Sequence, residues 1–203
     1  LDGWEKIVDE LSIIKPKEIT DERWKQLNSK NNKGRIANML EYEFGEKVLE
    51  IGPCEGFLSI YLCKLKPGIK QYMGLEIDGK MVAICKRLAS QNGINKARYI
   101  QGDGCVMEGL EGRLFDTIIM AEVLEHLRNP LSMLKRAYTA LSPGGSTIIT
   151  VPGKGVMPPG RTPGHVQDFL VDDMKSMLDE AGFRLLHHRR NHLWEFYLAI
   201  KPV

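Results

Sequence analysis

An α/β domain with a mostly parallel sheet and helices on both faces is predicted by two observations. The first is a repeat of short apolar runs that each end in a carboxylate and are separated by runs of helix length. Lys47–Ile51 carries Glu50 near its tip, Gln71–Ile77 carries Glu76, and Ala97–Gln101 leads into Gly102-Asp103-Gly104. Between them lie the helical runs Gly56–Lys66 and Gly79–Asn92. Strands alternating with such helices form βαβ units. Ligands of these sheets lie beyond the carboxyl ends of the strands, where strand order reverses. Glu50, Glu76 and Asp103 are therefore expected on one rim. The second observation is the turn Gly52-Pro53-Cys54-Glu55-Gly56, from which the helical run Phe57–Leu65 starts at once. Small residues there let backbone N–H groups and a helix N-terminus approach an elongated ligand.

The remaining elements follow in order. Trp4, Ile7, Val8, Leu11 and Ile14 recur at near-helical spacing until Pro16. Thr20 followed by Asp21-Glu22-Arg23 reads as a helix start, and Asn31-Asn32-Lys33-Gly34 as an interruption. Arg35–Phe44 resumes with Ile36, Met39, Leu40 and Phe44 on one face. Phe115–Met120 is a buried strand by its apolar run. Asn129-Pro130 supplies an N-cap and a first helical proline for Leu131–Leu141. Ser142-Pro143-Gly144-Gly145 signals a turn before strand Ser146–Val151, and Asp168–Ala181 is a helix closed by Gly182. Phe183–His188 and Leu193–Ile200 read as an antiparallel pair. The expected organisation is a helical cap over residues 1–45 and an α/β unit over residues 46–203.

The spacing of the rim acids suggests what they hold. A carboxylate about 20 residues past a glycine-rich turn suits a ribose diol, whose two hydroxyls match two carboxylate oxygens. A dinucleotide fingerprint starting at Gly52 would need glycines at positions 54 and 57, which hold Cys54 and Phe57. That counts against a nicotinamide oxidoreductase. Asp103, between two glycines, is placed to accept from an adenine amino group.

With these residues in view, the chain resembles the class I S-adenosylmethionine-dependent methyltransferases from about Phe44 onward. The matching pieces are LEIGPCEG, YMGLEID, QGDG, FDTIIMAEVLEHL and LSPGG. The resemblance implies a Rossmann-like, seven-stranded, mostly parallel sheet with one antiparallel strand. It implies that Gly52 and Gly56 shape the turn at the methionine end, Glu76 holds the ribose and Asp103 reads adenine. The expected cofactor-binding set is Glu50, Gly52, Cys54, Gly56, Glu76, Ile77, Asp103, Gly104 and Glu122. Pro53-Cys54 departs from the more usual glycine-containing pair, and a Cβ at position 54 narrows the turn.

The segment Glu122-Val123-Leu124-Glu125-His126 falls on the same rim. One helical turn would place Glu122, Glu125 and His126 on one face. His165 would descend from the long loop Pro152–Val166, where eight of the first thirteen residues are Gly or Pro. Two carboxylates and two imidazoles suit a divalent cation such as Mg²⁺ or Mn²⁺. E-x-x-E-H with a later His resembles metal-assisted O-methyltransferases acting on catechol-like hydroxyls or on the 2′-hydroxyl of small RNAs. Without metal, His126 or His165 is the candidate general base. Trp24, Arg35, Lys154 and Arg161 are candidate acceptor contacts, each weighed against packing or a solvated face.

Composition narrows the partners. A chain of 203 residues with 43% hydrophobic and 27% charged residues can bury a core without disulfides. Cys54, Cys63, Cys85 and Cys105 show no C-x-x-C pairing, which fits reduced, mostly buried thiols and a cytoplasmic setting. Net charge of +2 lacks the basic bias of a dedicated nucleic-acid binder. Its local basic cluster, His187-His188-Arg189-Arg190, is short enough to serve only in closing a hairpin. No apolar run of membrane-spanning length and no signal peptide is seen. Because the chain begins at Leu1, a native N-terminus further upstream is expected. The expected partner is a small-molecule or sugar-containing acceptor, methylated on oxygen. The alternatives are an RNA 2′-O-methyltransferase and a non-catalytic cofactor-binding subunit.

Overall fold

The computed structural model describes residues 2–157, 159, 162–191 and 193–203. Three helices come first: α1 (Asp2–Glu10), α2 (Asp21–Leu27) and α3 (Lys30–Leu40). The α/β part then runs β1 (Lys47–Ile51), α4 (Phe57–Leu65), β2 (Gln71–Glu76), α5 (Gly79–Gln91) and β3 (Ala97–Gln101). It continues through β4 (Phe115–Ala121), α6 (Pro130–Ala140), β5 (Leu141–Pro152), α7 (Val171–Glu180), β6 (Arg184–Arg190) and β7 (Trp194–Ile200). The sheet order is β3-β2-β1-β4-β5-β7-β6. Strands β1 to β5 pair in parallel, and β7 is antiparallel to both neighbours. Strand order reverses between β1 and β4, so the ligand crevice opens above their carboxyl ends.

Alternate strand residues supply two separate cores, as a sheet covered on both faces requires. Val48, Ile119, Ile148 and Phe196 join the cluster under α3, α4 and α5. Their neighbours Leu49, Ile118, Ile149 and Tyr197 join the cluster under α6 and α7.

Several sequence expectations are corrected. Asn31–Gly34 does not interrupt a helix but lies inside α3. The Ser29 hydroxyl caps α3 by accepting from Asn32 N–H at 3.2 Å, and Asn32 Nδ2 donates back to Leu27 O at 2.7 Å. The first helix ends at Glu10 rather than at Pro16. Ile14 beyond it is held in place by Asn92, which accepts from its N–H at 2.9 Å and donates to its carbonyl at 3.0 Å. Ser142–Gly145 is not a turn ahead of a strand. It belongs to β5, with a register irregularity, because Gly144 N–H donates to Lys201 O and Lys201 N–H to Gly145 O. The helix expected from Asp168 begins at Val171, and Asp168 Oδ2 instead accepts from Gly155 N–H at 3.3 Å. Residues 187–190 run on as strand β6 instead of closing the hairpin. Cys63 and Cys85 are buried, but Cys105 is half-buried and Cys54 exposed; all four are free thiols. Among the described residues no helix is long and apolar enough to cross a membrane.

Candidate active site

The turn after β1 is built by left-handed backbone. Gly52 has φ +66° and Gly56, at the N-cap of α4, has φ +76°. A Cβ on Gly56 would stand 3.0 Å from Cys85 Sγ, so a side chain there is both strained and crowded. Cys54 takes φ +52° although it is not glycine, an uncommon conformation that the surroundings must enforce. Its N–H donates to Glu76 Oε2 at 2.9 Å, and its carbonyl accepts from the Cys85 thiol at 3.0 Å. Its side chain is exposed, so the turn remains open despite the Cβ. Arg23 of α2 clamps the turn from above through a two-pronged ion pair with Glu55.

The three rim acids lie at the ends of adjacent strands, Glu50 in β1, Glu76 closing β2 and Asp103 just past β3. Glu50 is buried, and Tyr72 O–H donates to its Oε2 at 2.7 Å. Burial pushes its carboxyl up to about 7. Because the folded protein then holds a proton that the unfolded chain releases near 4.5, wild-type stability falls as pH rises from about 4.5 to about 7. Glu50→Gln keeps an oxygen for Tyr72 and has nothing to titrate. It is expected to match wild type near pH 4 and to exceed it by about 3 kcal/mol at pH 8. Urea unfolding at both pH values measures this; equal slopes with pH in the two proteins would refute the buried-carboxyl account.

Glu76 is buried, and its second oxygen accepts from Asp78 N–H at 3.0 Å. Beside it, Ile77 is 68% exposed, an aliphatic side chain presented to solvent at the rim. Asp103 is half-buried with Oδ1 fixed by Cys105 N–H at 2.7 Å. Gly104 packs so closely that a Cβ would fall 2.6 Å from Ile51 Cγ2.

A cavity of 490 Å³ opens over the β1 and β4 ends, between α2, α3 and the 153–170 loop. Glu50, Gly52, Cys54, Glu122 and His126 all line it. Glu76, Ile77, Asp103 and Gly104 do not; they continue the rim along β2 and β3. Arg35 lines the cavity, with Nη2 on Asn32 Oδ1 at 3.0 Å and its Nε buried without a hydrogen-bond partner among the described residues. Trp24 stands edge-on to Phe57 at 5.5 Å and belongs to the core rather than to an acceptor contact. Lys154 is exposed on the loop, and Arg161 lies outside the described residues, as do Pro158, Gly160 and His192.

The 122–126 segment does not form the expected helical turn. Glu122 has φ +59°, and only Leu124–His126 makes a short 3₁₀ turn. The left-handed residue swings Glu122 away from its neighbours toward β5 and β7. There Trp194 Nε1 donates to its Oε2 at 2.7 Å and Thr150 Oγ1 to its Oε1 at 3.2 Å. Glu122 therefore stays at the cavity but outside the cluster that has metal-ligand spacing.

That cluster is Glu125, His126 and His165, whose ligating atoms all lie within 4.8 Å of one another. Glu125 is 1% exposed, and both carboxylate oxygens lack a hydrogen-bond partner among the described residues. Burial, and then the charge of Glu122, push its carboxyl up to about 8. The two imidazoles meet edge to face at 4.8 Å. His126 Nδ1 lies 2.9 Å from Gly164 O and His165 Nδ1 3.0 Å from Met157 O. A carbonyl only accepts, so each Nδ1 carries the proton and each neutral ring keeps a lone pair on Nε2. Val166 N–H donates to Glu125 O at 2.9 Å and fastens the loop over the segment.

Sequence reasoning missed Trp194, the Arg23–Glu55 clamp and Met157. Each contributes through a long-range contact, and their local sequence carries no motif that announces it.

Known proteins resemble this chain in sequence and in fold. The family described as "Methyltransferase domain" matches residues 49–149, which span the turn, the rim and the 122–126 segment. Ubiquinone biosynthesis O-methyltransferase of Aliivibrio fischeri is 24% identical over 180 residues, covering 79% of this chain and 74% of that enzyme. Phosphoethanolamine N-methyltransferase 2 of Caenorhabditis elegans is 28% identical over 82 residues, 40% of this chain and only 18% of that enzyme. A SAM dependent methyltransferase from Aquifex aeolicus superposes with TM-score 0.72 at 20% identity, over 91% of this chain and 100% of that one, and shows the shared fold.

Proposed function

Since the chain belongs to the class I S-adenosylmethionine-dependent methyltransferases, we propose that it methylates a hydroxyl oxygen of a small-molecule acceptor in the 490 Å³ cavity. The carrying observation is the pair of imidazoles whose carbonyl-bound Nδ1 atoms leave two Nε2 lone pairs beside a buried, partnerless carboxylate. Hydroxyl acceptors must lose a proton on transfer, and such lone pairs suit that need. The likeness to an enzyme named for O-methylation in ubiquinone biosynthesis supports the same direction.

S-adenosylmethionine fits the residues present. Its ribose diol suits Glu76, its adenine suits Asp103 and the exposed face of Ile77, and its methionine end suits the open turn. The buried, unpartnered Arg35 Nε is a donor without an acceptor, which the methionine carboxylate would provide. Glu50 and Glu122 line the same cavity; Glu122 faces it as a carboxylate that suits the sulfonium and ammonium groups, while Glu50 offers a buried carboxyl as a hydrogen-bonding group. Helices α2 and α3 cover the cavity, and Gln26 and Asn32 face it on the acceptor side.

Glu125, His126 and His165 fit a divalent cation, because the buried carboxylate has no hydrogen-bond partner among the described residues and stands beside two imidazoles at ligand spacing. A cation there supplies Lewis-acid activation of the acceptor hydroxyl. The Gly164 and Met157 carbonyls hold both rings in the tautomer that ligation needs.

Isothermal titration with S-adenosylhomocysteine, followed by product analysis with phenolic, vicinal-diol and amine acceptors, tests the reading. Micromolar cofactor binding and methylation confined to hydroxyl acceptors are expected. Methylated amines with unreacted hydroxyls would overturn the oxygen assignment.

A further inference from the structure

A second concavity lies at the opposite end of the sheet, about 15 Å along the strands from the transfer cavity. It has a volume of 650 Å³ and sits where β1, β2, β3 and β4 begin. Five cations line it: Lys47, Lys70, Lys96, Arg98 and Arg113; no carboxylate does. Among the described residues, none of the five takes part in an ion pair. Two carboxylate residues border this rim without lining it: Asp116 accepts from Lys47 N–H at 2.9 Å and from Ser142, and Glu46 holds Lys70 and Gln71 N–H through its backbone carbonyl. In a chain whose net charge is only +2, this concentration leaves the rest of the molecule net acidic.

Two of the cations are held in place by backbone carbonyls. Lys96 Nζ donates to Ile69 O at 2.8 Å, and Arg98 Nη1 to Asn95 O at 2.8 Å. Carbonyls orient these groups without cancelling their charge, so little ordering entropy remains to be lost on binding an anion. Consecutive strand starts stand about 4.8 Å apart, which spreads the cations at intervals suited to several anionic oxygens.

We propose that this basal cavity binds a small anion carrying two or more phosphate groups. A concave site of this volume falls within the range of small-molecule pockets. Charge density favours an oligophosphate, since one carboxylate would leave most of the five cations uncompensated. A single-stranded nucleic acid is less well served: the cavity's aromatic residues, Tyr72 and Phe115, are buried in the sheet and offer no stacking platform.

Titration of the full chain with inorganic triphosphate, with S-adenosylhomocysteine saturating the other cavity, tests the site. One equivalent should bind, with affinity falling at least about tenfold between 50 and 200 mM salt. The double variant Lys70→Gln/Arg113→Gln should lose about tenfold in triphosphate affinity, while its S-adenosylhomocysteine affinity, the check on folding, stays unchanged. No heat with triphosphate would overturn the proposal, and so would binding that the variant leaves intact. A short single-stranded RNA that binds where triphosphate does not would equally overturn it, marking a nucleic-acid surface instead.

Discussion

Replacing Glu76 with alanine is expected to weaken S-adenosylhomocysteine binding by about 100-fold or more, with a smaller loss of stability. The carboxylate is buried and already accepts two backbone N–H groups, from Cys54 and from Asp78. Each oxygen retains a second lone pair, and the ribose diol would use those. Two charge-assisted hydrogen bonds contribute about 3 kcal/mol together, which is roughly a 100-fold change in affinity. The backbone contact adds to this. Without Glu76, Cys54 N–H loses its partner in a turn already held at φ +52°, and the turn is free to relax away from the shape the cofactor needs. An unmet buried donor costs about 1–3 kcal/mol of stability. Glu76→Gln separates the two contributions: its amide oxygen still accepts from one backbone N–H while its NH₂ turns an acceptor into a donor. Titration should place Gln between wild type and Ala. Unchanged affinity in both variants would move the ribose elsewhere on the rim.

The fold was legible where local chemistry and tertiary packing agree. The boundaries of β1 and β3 were readable because a short apolar run stops at a carboxylate and a glycine-containing turn together. The Asn129 cap and Pro130 start α6 as their side chains dictate. Where reading failed, a distant partner had changed what a residue does. Asn31–Gly34 has turn composition, yet Ser29 caps the helix two residues earlier and Asn32 spends its amide on Leu27 O. Ser142–Gly145 likewise has turn composition, but Lys201, just past β7, supplies the backbone partners that keep it in the sheet. At the site, positions on the rim followed from strand order alone. The orientation of Glu122 did not. It depends on one left-handed dihedral and on Trp194, 72 residues away. Helical periodicity had grouped Glu122 with Glu125 and His126, and periodicity fails wherever the backbone leaves the helix.

Mn²⁺ is expected to raise the unfolding temperature of the wild-type chain by several degrees, and His126→Ala is expected to abolish that rise together with at least about 10²-fold of methyl transfer. Glu125 sets the size of the first effect. A carboxylate 1% exposed and without a hydrogen-bond partner is costly to ionise, which is why burial holds it up to about 8. A cation that binds only the folded chain at 100 times its dissociation constant adds about 2.7 kcal/mol. For a domain of this size that is about 5–10 °C. His126 lines the transfer cavity, while His165 reaches the cluster from the loop. On the proposed reading, removing His126 takes one of the cation's nitrogens and a cavity-lining proton acceptor at once, and the loss in rate follows the usual weight of a positioned proton acceptor. His165→Ala should abolish the thermal shift with a smaller loss of rate. S-adenosylhomocysteine affinity should stay within about twofold in both, since neither ring touches the rim that would hold adenine and ribose. Thermal melts with and without Mn²⁺, beside single-turnover transfer to a hydroxyl acceptor, give both readings. A shift that survives His126→Ala would place the cation elsewhere. A lost rate without any wild-type shift would leave the imidazole acting alone, as a base on the acceptor hydroxyl through its Nε2 lone pair.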